Sequence, residues 1–181
     1  MKKLFLAVSM TACLMISAAY AQEASTITIL NNIHHVNQKE IKVAKLALSK
    51  TKSPQVKDVA KMLQADHTKN DQELQALAKS ERVKLKDFTP TAEDKAHTEK
   101  LKSMSGAQFD KAYLAAMKKG HEKALNMLES SRAETSDPQV SAFIDRTIPT
   151  VQHHEKTVAQ LSRSLETQAA GKAMAGKPQG H

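Results

Sequence analysis

From Val56 to Leu77 the chain carries an apolar seam whose steps alternate four and three: Val56, Ala60, Leu63, His67, Asn70, Leu74, Leu77. A seam of that period belongs to a helix laid against other helices, because residues three and four apart share one helical face. A strand would need a period of two, and no convincing alternating stretch occurs anywhere in the sequence. The seam has one oddity. Where the next hydrocarbon after Leu63 belongs, His67 stands instead, with Asp66 beside it.

Three further segments repeat the pattern. One runs from about Thr26 to Lys50, with Ile33, Val36, Glu40, Val43 and Ala47 on its seam. Another opens at Ser105-Gly106-Ala107-Gln108, spaced as a capping box, and continues through Asp110, Leu114, Met117, His121, Ala124 and Leu128. The last follows Ser136-Asp137-Pro138 and presents Val140, Ile144, Thr147, Val151, His154, Val158, Leu161 and Leu165, with Pro149 expected to kink it near His154. Ser53-Pro54 starts the helix that holds His67. The first two and the last two helices are joined by short turns, so each pair should be antiparallel. The stretch from Ser80 to Ser105 is a long crossing, punctuated by Thr89-Pro90-Thr91, with a short helix to about Met104. The expected fold is all-α: a ferritin-like antiparallel four-helix bundle over residues 22–168, with a short helix in the crossing between the second and third long helices.

The N-terminus reads as a secretory signal over residues 1–21. Lys2 and Lys3 precede the apolar run Leu4 to Ile16, which is too short to be a permanent span, and Ala19-Tyr20-Ala21 is a small-x-small cleavage pattern. A lipoprotein signal ending at Cys13 is the rival reading. Either way, export to the periplasm is expected, with outer-membrane association open and no membrane-spanning helix in the mature chain. Cys13 is the only cysteine, so a signal cleaved after Ala21 leaves no disulfide. Residues 169–181, with three glycines and a proline, read as a disordered tail.

The formal net charge is +8, two units of it from Lys2 and Lys3. The remaining charges are interspersed along helical faces, as on a solvated surface, and attraction to anionic envelope surfaces is the sharper alternative. Four Phe, two Tyr and no Trp give little to stack on bases, and no basic stripe exists, so nucleic acid is excluded as a partner. Without a nucleophile-elbow serine motif or a mature cysteine, hydrolysis has little behind it.

Each long seam carries one metal-capable residue near its middle: Glu40, His67, His121 and His154. Glu40 and His67 lie roughly 18 and 22 Å from the first turn at 1.5 Å per residue, and His121 and His154 roughly 22 and 27 Å from the second. The four therefore share one layer within a turn or two. Burying unpaired polar groups costs on the order of 1–3 kcal/mol each, and more for a carboxylate. One transition-metal ion would compensate all four, and imidazoles with one carboxylate suit zinc, copper or iron. Asn37, Asp110 and Tyr113 sit at nearby inward positions as outer partners of such a site. The alternative is a polar layer without metal, in which Glu40 pairs with His67 and the layer sets helix register for a bundle that docks an envelope partner. His34, His35, His97 and His153 are assigned to the surface, and Met62, Met117 and Met127 to the core.

The stretches "NQKEIKVAKLAL" (37–48), "SPQVKDVAKMLQADH" (53–67), "GAQFDKAYLAAMKKGH" (106–121) and "DPQVSAFIDRTIPTVQHH" (137–154) resemble the bacterial domain-of-unknown-function family 4142. Glu40-Ile41, Asp66-His67, Phe109-Asp110, Tyr113, His121, Pro149 and His154 carry the resemblance. It implies a ferritin-like bundle and an exported location, and brings no assigned activity. Classical di-iron members of the ferritin-like fold use Glu-x-x-His on two helices. Here Gln64, Lys118 and Val151 precede the histidines by three, so a mononuclear site is the expected form. The role expected for it is metal handling or envelope stress.

Overall fold

Ser53 accepts a hydrogen bond from the Val56 amide at 3.3 Å, and Pro54 follows with its φ already helical; together they start a helix where the sequence announces one. The same logic places the other boundaries. Thr91 and Asp94 form a reciprocal capping box, and Asp137 accepts from the amides of Gln139 and Val140. The computed structural model describes residues 6–175, with side chains described for Glu23 and for residues 25–171. Among these residues it contains five helices and no strand: α1 (Leu6–Lys50), α2 (Pro54–Ser80), α3 (Ala92–Lys102), α4 (Gly106–Glu134) and α5 (Pro138–Ala175). No helix is long and apolar enough to cross a membrane among the described residues.

Each long helix packs against two others: α1 against α2 and α4, and α5 against α4 and α2. Their buried faces form two apolar clusters. Val43, Ala47, Val56, Leu63, Phe109, Tyr113, Met117 and Val158 belong to one. Ile29, Ile33, Leu74, Leu128, Phe143, Ile144 and Val151 belong to the other. On α1 the second cluster precedes the first, as it does on α5; on α2 and α4 the order is reversed. Neighbouring helices therefore run in opposite directions. Leu63 and Met117 are fully buried or nearly so, as are Leu74 and Val158, so the seam read from sequence is the buried face. Met117 is core, and Met62 and Met127 pack against the clusters half-buried.

The long crossing is clamped to α1 by polar contacts. Asp94 is buried and receives Lys39 at 2.8 Å and His35 at 3.2 Å. Burial alone would raise its carboxyl, but hydrogen bonds from Lys39 and Thr91 hold it well below the usual carboxylate range. His35 and Lys42 also lie against the Phe88 ring, at 4.9 and 4.2 Å from its centroid. His34, likewise expected at the surface, bonds Asp71 of α2 at 2.7 Å. Both histidines thus serve as interhelical contacts, because their shared helix faces α2 on one side and the crossing on the other.

Three boundaries differ from expectation. α1 begins at Leu6, well before Thr26, and so runs on from the segment read as a signal; residues 1–5 lie outside the described residues. Ser105 precedes α4 but makes no side-chain cap bond, and Gly106 opens the helix at φ +54°, a left-handed conformation that glycine adopts without steric cost. α5 continues to Ala175, into the stretch read as a disordered tail, because Ala169, Ala170, Lys172, Ala173 and Met174 are all strong helix formers. Residues 176–181 lie outside the described residues.

Candidate metal centre

Between the two apolar clusters lies a polar layer. His67 sits between Leu63 of one cluster and Leu74 of the other, His121 between Met117 and Ala124, and His154 between Val151 and Val158. The helical period that buries their apolar neighbours buries them too, and their relative exposures are 5%, 1% and 1%. The rings converge. Centroids of His67 and His121 are 5.7 Å apart, His67 and His154 5.3 Å, and His121 and His154 5.2 Å. One nitrogen from each ring lies within 4.8 Å of those offered by the other two.

Each ring is held from outside by an acceptor. The Nδ1–H of His67 donates to Asn37 Oδ1 at 3.0 Å. That asparagine's oxygen faces the ring because its Nδ2 donates to Asn70 Oδ1 at 2.8 Å. The Nδ1–H of His121 donates to the Met117 carbonyl one turn back, at 2.7 Å. The Nε2–H of His154 donates to Asp66 Oδ2 at 2.9 Å, across the α2–α5 contact. A carbonyl and a carboxylate only accept, so each neutral ring carries its proton outward. The nitrogens left over are Nε2 of His67, Nε2 of His121 and Nδ1 of His154. All three are buried and have no hydrogen-bond partner.

Burial and the neighbouring rings disfavour the charged form of two of these groups, His67 and His154. Burial pushes the His67 imidazolium down to about 3, with His154 and His121 adding to the effect. Burial also lowers His154, against the opposing pull of Asp66. Three unpartnered lone pairs in one buried place make a donor set of the kind that borderline transition metals take, and the carboxylate, amide and carbonyl behind them are the usual outer partners of metal-binding histidines. A buried polar atom without a partner costs about 1–3 kcal/mol. Three together are a large share of the 5–15 kcal/mol by which a domain is stable, so the cluster calls for an explanation.

Glu40 is buried but stands outside the group of three. Its Oε1 lies 3.1 Å from where a Cβ on Gly120 would be, and its Oε2 has no partner. Gly120 thus makes room for a carboxylate beside His121. Burial raises the Glu40 carboxyl, with His121 acting the other way. Tyr113 is also fully buried with an unpartnered hydroxyl, raised by burial and then by Glu40. His67 does not pair with Glu40; its partner is Asn37. Asp110 is elsewhere, accepting from Thr51 at the α1–α2 turn. Asp66, which stands beside His67 in the sequence, contacts a neighbouring helix through His154 of α5. Sequence reading missed its part in orienting His154, and the part of Asn70 in orienting Asn37. Adjacency in sequence hides Asp66, since only the packing of α2 on α5 brings it to a histidine eighty-eight residues away.

Among solved structures, CopM in its Cu(I)-bound form matches with a TM-score of 0.65 at 17% identity, over 77% of this chain and 96% of that one. A DUF305 fragment from Deinococcus radiodurans matches with a TM-score of 0.69 at 13% identity, over 77% and 96%. A DUF305 protein from Streptomyces coelicolor matches at 0.67 and 12%, over 78% and 94%. At such identities the likeness establishes a shared helical fold. No curated protein matches the chain. The model of the family described as domain of unknown function (DUF4142) matches residues 12–161, covering the polar layer and both apolar clusters, and the chain belongs to that family.

Proposed function

We propose that this protein is exported to the periplasm, folds as a ferritin-like antiparallel four-helix bundle, and holds one transition-metal ion in its core for metal handling or envelope stress. His67 Nε2, His121 Nε2 and His154 Nδ1 are the nitrogen ligands. Glu40 is the fourth member of the layer and supplies a carboxylate beside His121, as a donor or as charge balance. The observation that carries the reading is the convergence of three buried imidazoles whose outward nitrogens are all bonded and whose inward nitrogens have no partner. The crossing of antiparallel neighbours supports the bundle, and the Lys2-Lys3, apolar run and Ala19-Tyr20-Ala21 pattern supports export. Structures of CopM carry Cu(I), Cu(II) and silver. Copper and silver are therefore the ions to try first, with zinc and iron beside them.

The test is elemental analysis of the protein purified without chelator, followed by titration of the metal-free form with each ion. A stoichiometry near one is expected. Native protein without metal that also takes up none of the four ions refutes the proposal. A second reading keeps the layer as a register device for an interaction bundle, favoured by the hydrogen bonds it makes from α1 to α2 and from α2 to α5. His67→Leu separates the two: loss of bound metal supports the first, and a more stable protein with no metal to lose supports the second.

A further inference from the structure

Thr147 lies buried on α5, two turns before His154. Its hydroxyl donates to the Phe143 carbonyl at 2.9 Å and accepts from Asn70 Nδ2 at 2.9 Å. Asn70 Oδ1 then accepts from Asn37 Nδ2 at 2.8 Å, and Asn37 Oδ1 accepts from His67 Nδ1 at 3.0 Å. The direction of each bond follows from the one behind it. A backbone carbonyl can only accept, so Thr147 turns its proton to Phe143 and a lone pair to Asn70. Asn70 must then show its NH2 to Thr147 and its oxygen to Asn37. Asn37 in turn shows its oxygen to His67, and the proton of His67 belongs on Nδ1.

The two asparagines cannot make that choice alone. An amide has a donor end and an acceptor end of nearly the same shape, so the Asn37–Asn70 pair fits equally well reversed. Reversal puts Asn37 Nδ2 against His67 Nδ1, which must then be bare, and moves the proton to Nε2, inside the histidine cluster. It also forces Thr147 to give up its bond to Phe143. We propose that Thr147 is a positioning residue that sets the tautomer of His67 from three hydrogen bonds away. The use of a bare Nε2 for metal rests on the function proposed above; the tautomer does not.

The test is nitrogen-15 NMR of the histidine rings in the metal-free full chain at pH 7, with zinc titrations alongside. The full-length wild type is expected to show His67 protonated on Nδ1 alone. Thr147→Val keeps the shape and removes the hydroxyl, and should show both tautomers at comparable populations. Its zinc affinity should fall about tenfold, the lower end of what outer partners of metal-binding histidines cost. Thr147→Ser restores the hydroxyl and should restore the single tautomer. A pure Nδ1–H tautomer in Thr147→Val overturns the proposal, as does an Nε2–H tautomer in the wild type. So does a Ser variant that behaves like Val. If the wild type takes up neither zinc nor copper, silver or iron, the tautomers still decide this proposal and the metal reading alone falls.

Discussion

Acid should destabilise the metal-free protein through His67 in particular. The unfolded side chain titrates at the ordinary 6.5, and in the folded chain burial has pushed it to about 3. The sign follows from linkage. Above pH 6.5 neither state binds the proton and the group contributes nothing. Below it the unfolded state binds the proton and the folded state does not, so stability is lost as pH falls from 6.5 toward 3. Between pH 7.5 and 5 the loss is about 2 kcal/mol, since the folded value lies well under pH 5. For a chain of this size that is a melting-temperature drop of roughly 4–8 °C. His154 is lowered too and adds in the same sense. Glu40 is raised and opposes: it stabilises at low pH and loses that contribution as pH rises through its elevated value. The assay therefore compares wild type with His67→Leu, in chelator, by urea unfolding at pH 7.5 and pH 5. Glu40 and His154 are common to both proteins. The stability gap should move by about 2 kcal/mol in favour of Leu on acidification. A gap that moves by less than about 0.5 kcal/mol means that His67 is not held neutral in the fold, and the lone-pair argument for the centre fails with it.

Asp66→Asn keeps an acceptor for His154 but removes the charge that makes the ring a better donor; metal affinity should fall about 10-fold or more by competition titration, with apoprotein stability little changed. Gly120→Ala should gain up to about 1 kcal/mol from helix propensity in a Glu40→Ala background, and clearly less in wild type, where the new methyl meets Glu40 at 3.1 Å; thermal melts of the four proteins read the difference. Thr91→Ala removes the capping box that also orients Asp94 toward Lys39, and should cost about 1–2 kcal/mol in urea unfolding.

The helices were legible because their signals are local. Ser53-Pro54 and Asp137-Pro138 act within one turn of themselves, and the heptad steps through Leu63 and Leu74 mark a buried face whatever that face meets. Ser105 was misread for the opposite reason: its side chain was free to cap, but the left-handed Gly106 carries the chain into α4 by another geometry. The histidine layer was legible as a height, since distance from a turn is a count of residues times a rise. Glu40 met that count and still stands apart from the three rings.

The sequence by itself determined that the chain is helical, where the long helices lie, and that His67, His121 and His154 face inward at one level. The tertiary structure decided which polar groups touch. Asp66 reaches His154, Asn37 reaches His67, and Asn70 with Thr147 stands behind Asn37, each across a helix boundary. Helical periodicity says which face a side chain is on, but not how two faces are rotated and slid against each other. A hydrogen bond needs that relative placement to within a few tenths of an ångström, and only the packing of Leu63, Leu74, Met117 and Val158 around the layer supplies it.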